Sequence, residues 1–267
     1  MRIGNIDIDT SRTHIMGILN ITPDSFSDGG IWNSTEAALR RAEQMINEGA
    51  EIIDIGGEST RPGYIPVDEN EEIHRITPVI QAIKKEFCIP ISVDTYKRSV
   101  ALAALDSGAD MINDIWGLKH DSKPAEVISS FNVPVCLMHN RKNTAYIDLM
   151  SDVISDLRES IAIANAAGIP NDRLILDPGI GFAKTHEQNL EIINRLDELH
   201  SLGCPILLGA SRKSVIGNTL GLPPDQRLEG TLATTVIAVM RGAAFVRVHD
   251  IKENLRAIRM TEAILKS

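Results

Sequence analysis

SGADMIND (107–114) carries the pattern that decides the fold. A glycine stops a helix, two residues follow, and a short apolar run then ends in Asn113 and Asp114. Glycine just past a last helical turn accepts left-handed backbone that a Cβ would penalise. The same helix-stop and strand-start returns as EGAEIID (48–54) and RGAAFVRV (241–248), and Gly168 and Gly203 stand before two further apolar runs. A parallel strand buried on both faces should read as continuous Val, Ile and Leu. Yet HIMGILN (14–20), ISVDT (91–95), MINDI (111–115) and FVRVH (245–249) all carry polar residues at or beside their C-terminal ends. In an eight-stranded β/α barrel that end is where reacting groups converge.

Working outward, strands are predicted at 14–20, 51–57, 91–95, 111–115, 133–139, 174–179, 205–211 and 245–249. Amphipathic helices are predicted at 35–48, 70–86, 97–107, 124–130, 146–167, 185–201, about 226–241 and 252–266. Strict alternation over the whole length predicts an α/β protein, a TIM (β/α)8 barrel. An open doubly wound sheet is the alternative topology. Residues 1–13 are expected to form a short hairpin over the N-terminal mouth. With no linker or low-complexity segment, 1–267 reads as one domain. Three connections are long: ITPDSFSDGGIWN after strand 1, GESTRPGYIPVDEN after strand 2 and RKSVIGNTLGLPPDQ after strand 7. Phe26, Thr60 and Arg61 are odd in plain connectors, so the first two loops are expected to act as lids over the C-terminal mouth.

The formal charge of −9 argues against a broad nucleic-acid or membrane surface. Runs such as VPVCLM (133–138) are too short to cross a bilayer. No secretory signal is visible at the N-terminus, so the cytosol is the expected compartment. Cys88, Cys136 and Cys204 lie beside apolar residues or proline and are expected to be buried free thiols.

Arg247 and His249 are two apart on strand 8 and so point the same way. A buried arginine needs an anionic partner: a substrate phosphate, or an internal salt bridge to Asp54 or Asp177. With Arg61 and Lys213, three cations would face one opening, which favours an anionic ligand. GASRKS (209–214) runs toward a helix whose N-terminus can hold an anion, but it does not match a Walker loop. Lys213 can equally be read as the Schiff-base nucleophile of a class I aldolase. Asp94, Asn113 and Asp177 close strands 3, 4 and 6 and suit a flat heterocycle with several N–H donors. Read singly, each is a plausible turn former or cap. Asp94 and Asp177 have no His or Cys companions that would make a strong metal cluster.

These strand ends closely resemble the dihydropteroate synthases of the folate pathway. GILNITPDSFSDGG (17–30), DIGGESTRPG (54–63), SVDT (92–95), IND (112–114), DPGIGF (177–182), GASRKS (209–214) and RVHD (247–250) carry the resemblance, in order and across the chain. LMHNRKNT (137–144) departs from it, and His139 receives no role. The resemblance implies condensation of 6-hydroxymethyl-7,8-dihydropterin diphosphate with p-aminobenzoate, giving 7,8-dihydropteroate and pyrophosphate. It further implies that Asp94, Asn113, Asp177 and Lys213 bind the pterin, and that Arg247, His249 and the backbone of Val248 hold the diphosphate. Asn20 resembles the Mg²⁺ ligand, joined by Asp28. Thr60 and Arg61 would close over the diphosphate, Phe26 and Pro62 would wall the p-aminobenzoate slot, and Ser214 (less so Ser211) would take the benzoate carboxylate. Lys213, Arg247, Asp94 and Asp177 would carry catalysis. A homodimer and competition by sulfonamides are also implied. The rival within the same barrel is a pterin-binding methyltransferase domain acting with a corrinoid protein.

Overall fold

The computed structural model describes residues 1–21, 30–58, 67–121 and 123–267, with side chains of the first helix from residue 35. Phe26, Asp28, Thr60, Arg61 and Pro62 lie outside the described residues. A small antiparallel hairpin pairs β1 (Arg2–Ile3) with β2 (Ile6–Asp7). Eight parallel strands follow: β3 (His14–Asn20), β4 (Ile52–Gly56), β5 (Ile91–Asp94), β6 (Met111–Asp114), β7 (Val135–Met138), β8 (Leu174–Asp177), β9 (Leu207–Leu208) and β10 (Phe245–Val248). Their order is β8-β7-β6-β5-β4-β3-β10-β9. A parallel bridge between Leu176 and Ile206, with Leu176 N–H donating to Pro205 O at 2.9 Å, draws the two edges together. The sheet is therefore a barrel, and the open-sheet alternative falls.

Helices lie between the strands: α1 (Gly30–Glu48), α2 (Glu69–Glu86), α3 (Arg98–Asp106), α4 (Lys123–Phe131), α5 (Leu149–Ala166), α6 (His186–Asn194), α7 (Ser214–Leu220), α8 (Leu228–Met240) and α9 (Ile251–Leu265). Gly49, Gly108, Gly168, Gly203 and Gly242 all have positive φ, as the helix-stop reading requires. Two expectations need correction. The long connection after strand 7 contains α7, a helix of two turns closed by Gly221. Cys88 is exposed, because Phe87 already leaves α2 in extended backbone; only Cys136 and Cys204 are buried.

Alternation inside the strands divides the core in two. Ile15, Leu19, Ile53, Ile55, Val93, Ile112, Leu137 and Leu176 pack outward against helices. Met16, Ile52, Met111, Cys136, Ile175, Leu207 and Phe245 point the other way, forming an apolar layer with Ile3 and Ile8 of the hairpin segment. The hairpin thus covers the N-terminal mouth. It also fixes the level at which the barrel interior turns polar.

Candidate active site

One step of alternation above the apolar layer, the inward residues change character. Asp54 is two residues above Ile52, Asn113 above Met111, Asp177 above Ile175, and Arg247 above Phe245. Along the upper rim, Asn20, Gly56, Asp94 and Asn113 are consecutive Cα partners across β3 to β6. A Cβ added at Gly209 would come within 3.4 Å of Asp177 Oδ2 and 3.9 Å of Arg247 Cβ. Asp177 and Arg247 therefore border one space, which glycine keeps open.

Arg247 joins the carboxylates across that space. Its Nε donates to Asp54 Oδ2 at 2.5 Å and its Nη2 to Asp94 Oδ2 at 2.9 Å. Asn113 Nδ2 donates to the same Asp54 oxygen at 3.3 Å. Asp54 Oδ1 and Asp94 Oδ1 are buried and accept no hydrogen bond among the described residues. Such orphan acceptors are costly unless a donor-bearing guest meets them. Of the internal partners anticipated for Arg247, Asp54 is paired and Asp177 is not; the second carboxylate on the guanidinium is Asp94, which puts Arg247 in the acidic floor.

Asp177 is aimed by its own loop. Gly179 N–H donates to Asp177 Oδ1 at 2.7 Å. Lys213 stands opposite, with Nζ donating to Ile180 O at 2.5 Å and lying 4.9 Å from the Phe182 ring centroid. His249 and Ser211 form a separate pair. His249 N–H donates to Ser211 Oγ at 3.2 Å, and His249 Nδ1 meets that hydroxyl at 3.0 Å. Ser211 is thus engaged within the protein, whereas Ser214 opens α7 and is exposed. Val248 is buried one residue below His249.

Burial dominates the electrostatics. It pushes Asp94 up to about 7 against the pull of Arg247, with Asp54 adding to the rise. Burial also raises Asp177 against Lys213, and it lowers Lys213 to about 8 against the pull of Asp177. For Arg247, burial is outweighed by Asp54 and Asp94, which hold the guanidinium charged. Three carboxylates (Asp54, Asp94, Asp177) face two cations (Arg247, Lys213), a formal excess of one negative charge. A pit of that composition favours a guest rich in N–H donors or carrying positive charge.

Asp54 was anticipated only as a possible internal partner of Arg247, although its sequence signal is plain: a carboxylate inside the apolar run IIDIG (52–56). His139 and Lys184, which flank the loop after β8, were assigned nothing; His139 is buried here and Lys184 half-buried.

The family model described as "Pterin binding enzyme" matches residues 16–249. A dihydropteroate synthase from Clostridium beijerinckii is 57% identical over the full length of both chains. The chain belongs to the dihydropteroate synthases. Among solved structures, a dihydropteroate synthase from Clostridium difficile in the presence of pteroic acid superposes with a TM-score of 0.94 at 51% identity, covering 100% of both chains. A dihydropteroate synthase from Yersinia pestis, in complex with a sulfonamide drug, gives 0.94 at 43% identity, covering 100% of this chain and 99% of that one. The matched span runs from Met16 in β3 to His249 just past β10. Every strand end of this dihydropteroate synthase barrel therefore lies inside it.

Proposed function

We propose that this chain, as one pterin-binding barrel, condenses 6-hydroxymethyl-7,8-dihydropterin diphosphate with p-aminobenzoate, releasing pyrophosphate and giving 7,8-dihydropteroate for folate biosynthesis. The observation that carries the reading is the convergence of Asp94, Asn113, Asp177, Lys213 and Arg247 on one mouth, above an apolar layer. The unpartnered oxygen of Asp94, the raised Asp177 and the Asn113 amide would meet the ring N–H groups and nitrogens of a pterin. Lys213 would close that end of the ring. Arg247, His249, the Val248 backbone and Asn20 would hold the diphosphate, with Thr60 and Arg61 covering it. Phe26 and Pro62 would wall the p-aminobenzoate slot, and Ser214 is favoured over Ser211 for the benzoate carboxylate, since the Ser211 hydroxyl is bonded to His249.

Mg²⁺ belongs to the proposal. Asn20 ends β3 at the rim, and its amide oxygen is a hard donor of the kind Mg²⁺ accepts alongside waters and substrate phosphates. Among the described residues no three His, Cys, Asp or Glu gather as a cation site. Asn20 and Asp28 would hold Mg²⁺, and bound there it would neutralise charge on the departing pyrophosphate.

As the C–O bond to pyrophosphate breaks, positive charge develops on the pterin methylene and spreads into the ring. Asp94 and Asp177 would stabilise it, and the formal excess of negative charge in the pit would serve the same end. An aromatic amine is already neutral at pH 7, so attack needs no strong general base. Unpaired cysteines suit a reducing cytosol, and the reading includes a homodimer. It also includes competition by sulfonamides for the p-aminobenzoate slot.

Pyrophosphate release measured with both substrates and Mg²⁺, against omission of each, tests this reading. Release should require the pterin diphosphate and p-aminobenzoate together. Release that ignores p-aminobenzoate, or a borohydride-trapped substrate adduct on Lys213, would defeat it. The methyltransferase alternative is disfavoured by the full-length 57% match to a synthase.

A further inference from the structure

Beside the pit, the end of β7 and the loop after β8 share a second cluster, buried at His139 and half-buried at its other members. Lys184 closes the loop PGIGFAK (178–184), and its ammonium turns back into it. Nζ donates to Gly179 O at 3.0 Å and Phe182 O at 3.0 Å, and meets His139 Nδ1 at 2.9 Å. Burial lowers Lys184 to about 7 against the pull of Asp177, and in the charged form its three donors have three acceptors. His139 is fully buried, and burial holds it down at about 4, so the ring is neutral. With Nε2 2.9 Å from Asp156 Oδ2, the proton belongs on Nε2 and a lone pair faces Lys184. Asp156 on α5 is itself held by Arg141 Nε at 2.5 Å, with Lys119 Nζ at 3.9 Å.

The loop so clamped makes three contacts with the pit. Gly179 N–H aims Asp177, Ile180 O receives Lys213, and the Phe182 ring lies under the Lys213 ammonium. We infer that Asp156, His139 and Lys184 form a positioning relay that fixes the loop after β8, and through it the mutual placement of Asp177 and Lys213 around the pterin. Among the described residues neither side chain hydrogen-bonds the pit's floor carboxylates; both act through backbone, Lys184 on the loop carbonyls and His139 also through its N–H to Asp177 O at 2.8 Å. The inference rests on the condensation reading above, and it assigns work to His139, in the stretch LMHNRKNT to which the resemblance gave no role.

Lys184→Met removes all three donors at similar size. His139→Asn keeps an acceptor toward Lys184, and His139→Leu removes it. In intact enzyme, Lys184→Met and His139→Leu should raise KM for the pterin diphosphate about ten-fold, the scale of a lost charge-assisted hydrogen bond. KM for p-aminobenzoate should stay within about two-fold, and His139→Asn should recover most of the pterin loss. Amide exchange at Gly179 and Gly181 should quicken about ten-fold in Lys184→Met. Equal rises in both KM values, an asparagine variant no better than leucine, or unchanged exchange at Gly179 each overturn the relay. Exchange needs no turnover, so a parent protein without condensing activity sinks the functional reading and leaves the relay separately readable.

Discussion

Arg247 holds two buried carboxylates with one guanidinium, and that ratio sets what its removal does. On the proposed reading Arg247→Ala would take a cation from the diphosphate, and kcat should fall on the order of a hundred-fold or more. Near-parental kcat would remove Arg247 from the mechanism. Stability should respond with a pH signature. Asp94 already sits at about 7, above the unfolded value of roughly 3.9. A carboxyl raised in the folded state is best tolerated below its unfolded pKa and costs stability as pH rises toward its folded value. Without Arg247 the folded value climbs further, so the melting deficit of the variant should be small at pH 6 and larger at pH 8. Leaving buried charge unpaired costs about 3–5 kcal/mol at the upper limit. A deficit that shrinks toward pH 8 would contradict this account. Alternation in FVRVH showed from sequence that Arg247 faces inward. It did not show its partners, because choosing among Asp54, Asp94 and Asp177 depends on the register of strands up to 193 residues apart. Lys184 was less legible still: its contacts follow from a loop curling on itself, which no periodicity reports.

Elements carry the separation between what holds the barrel and what works in it. Strands were readable because glycine stops and polar ends bracket each apolar run. The helix α7 was read as part of a loop, since seven residues between Lys213 and Gly221 offer barely two turns and no side-chain cap. What fixes it is tertiary: Arg227 donates to Leu222 O at 2.9 Å and Arg212 O at 2.9 Å, and its guanidinium occupies the space where a Cβ on Gly217 would stand. The N-terminal hairpin makes the opposite case, a minor element in sequence with a large packing role. Ile3 is fully buried in the apolar layer with Met16, Met111 and Phe245. Ile3→Ala should therefore lower unfolding free energy by about 2–4 kcal/mol in urea titration. Because that layer lies below the pit, kcat and both KM values of the folded variant should stay near parental. A large KM change at intact stability would mean the hairpin reaches the site.

At the scale of the whole molecule, a barrel has no free sheet edge, so association has to use its outer helices. α8 (LEGTLATTVIAVM) is apolar around most of its circumference, more than a helix covered on one side requires. Ile237 and Met240 on α8, and Met260, Ile264 and Leu265 on α9, are exposed, and the two helices pack against each other. An exposed apolar group of that kind is a candidate association surface, and on the proposed homodimer reading a second copy of the chain would be its occupant. Each copy carries a formal −9, so two copies repel at long range while apolar contact draws them together at short range. Sedimentation should accordingly give twice 29.2 kDa at micromolar concentration, with dissociation weakening as salt screens the repulsion. Met240→Glu combined with Met260→Glu adds charge and removes apolar area on that surface, and should sediment at 29.2 kDa. A parent chain that is monomeric under these conditions, or a double variant that stays dimeric, would move the interface elsewhere.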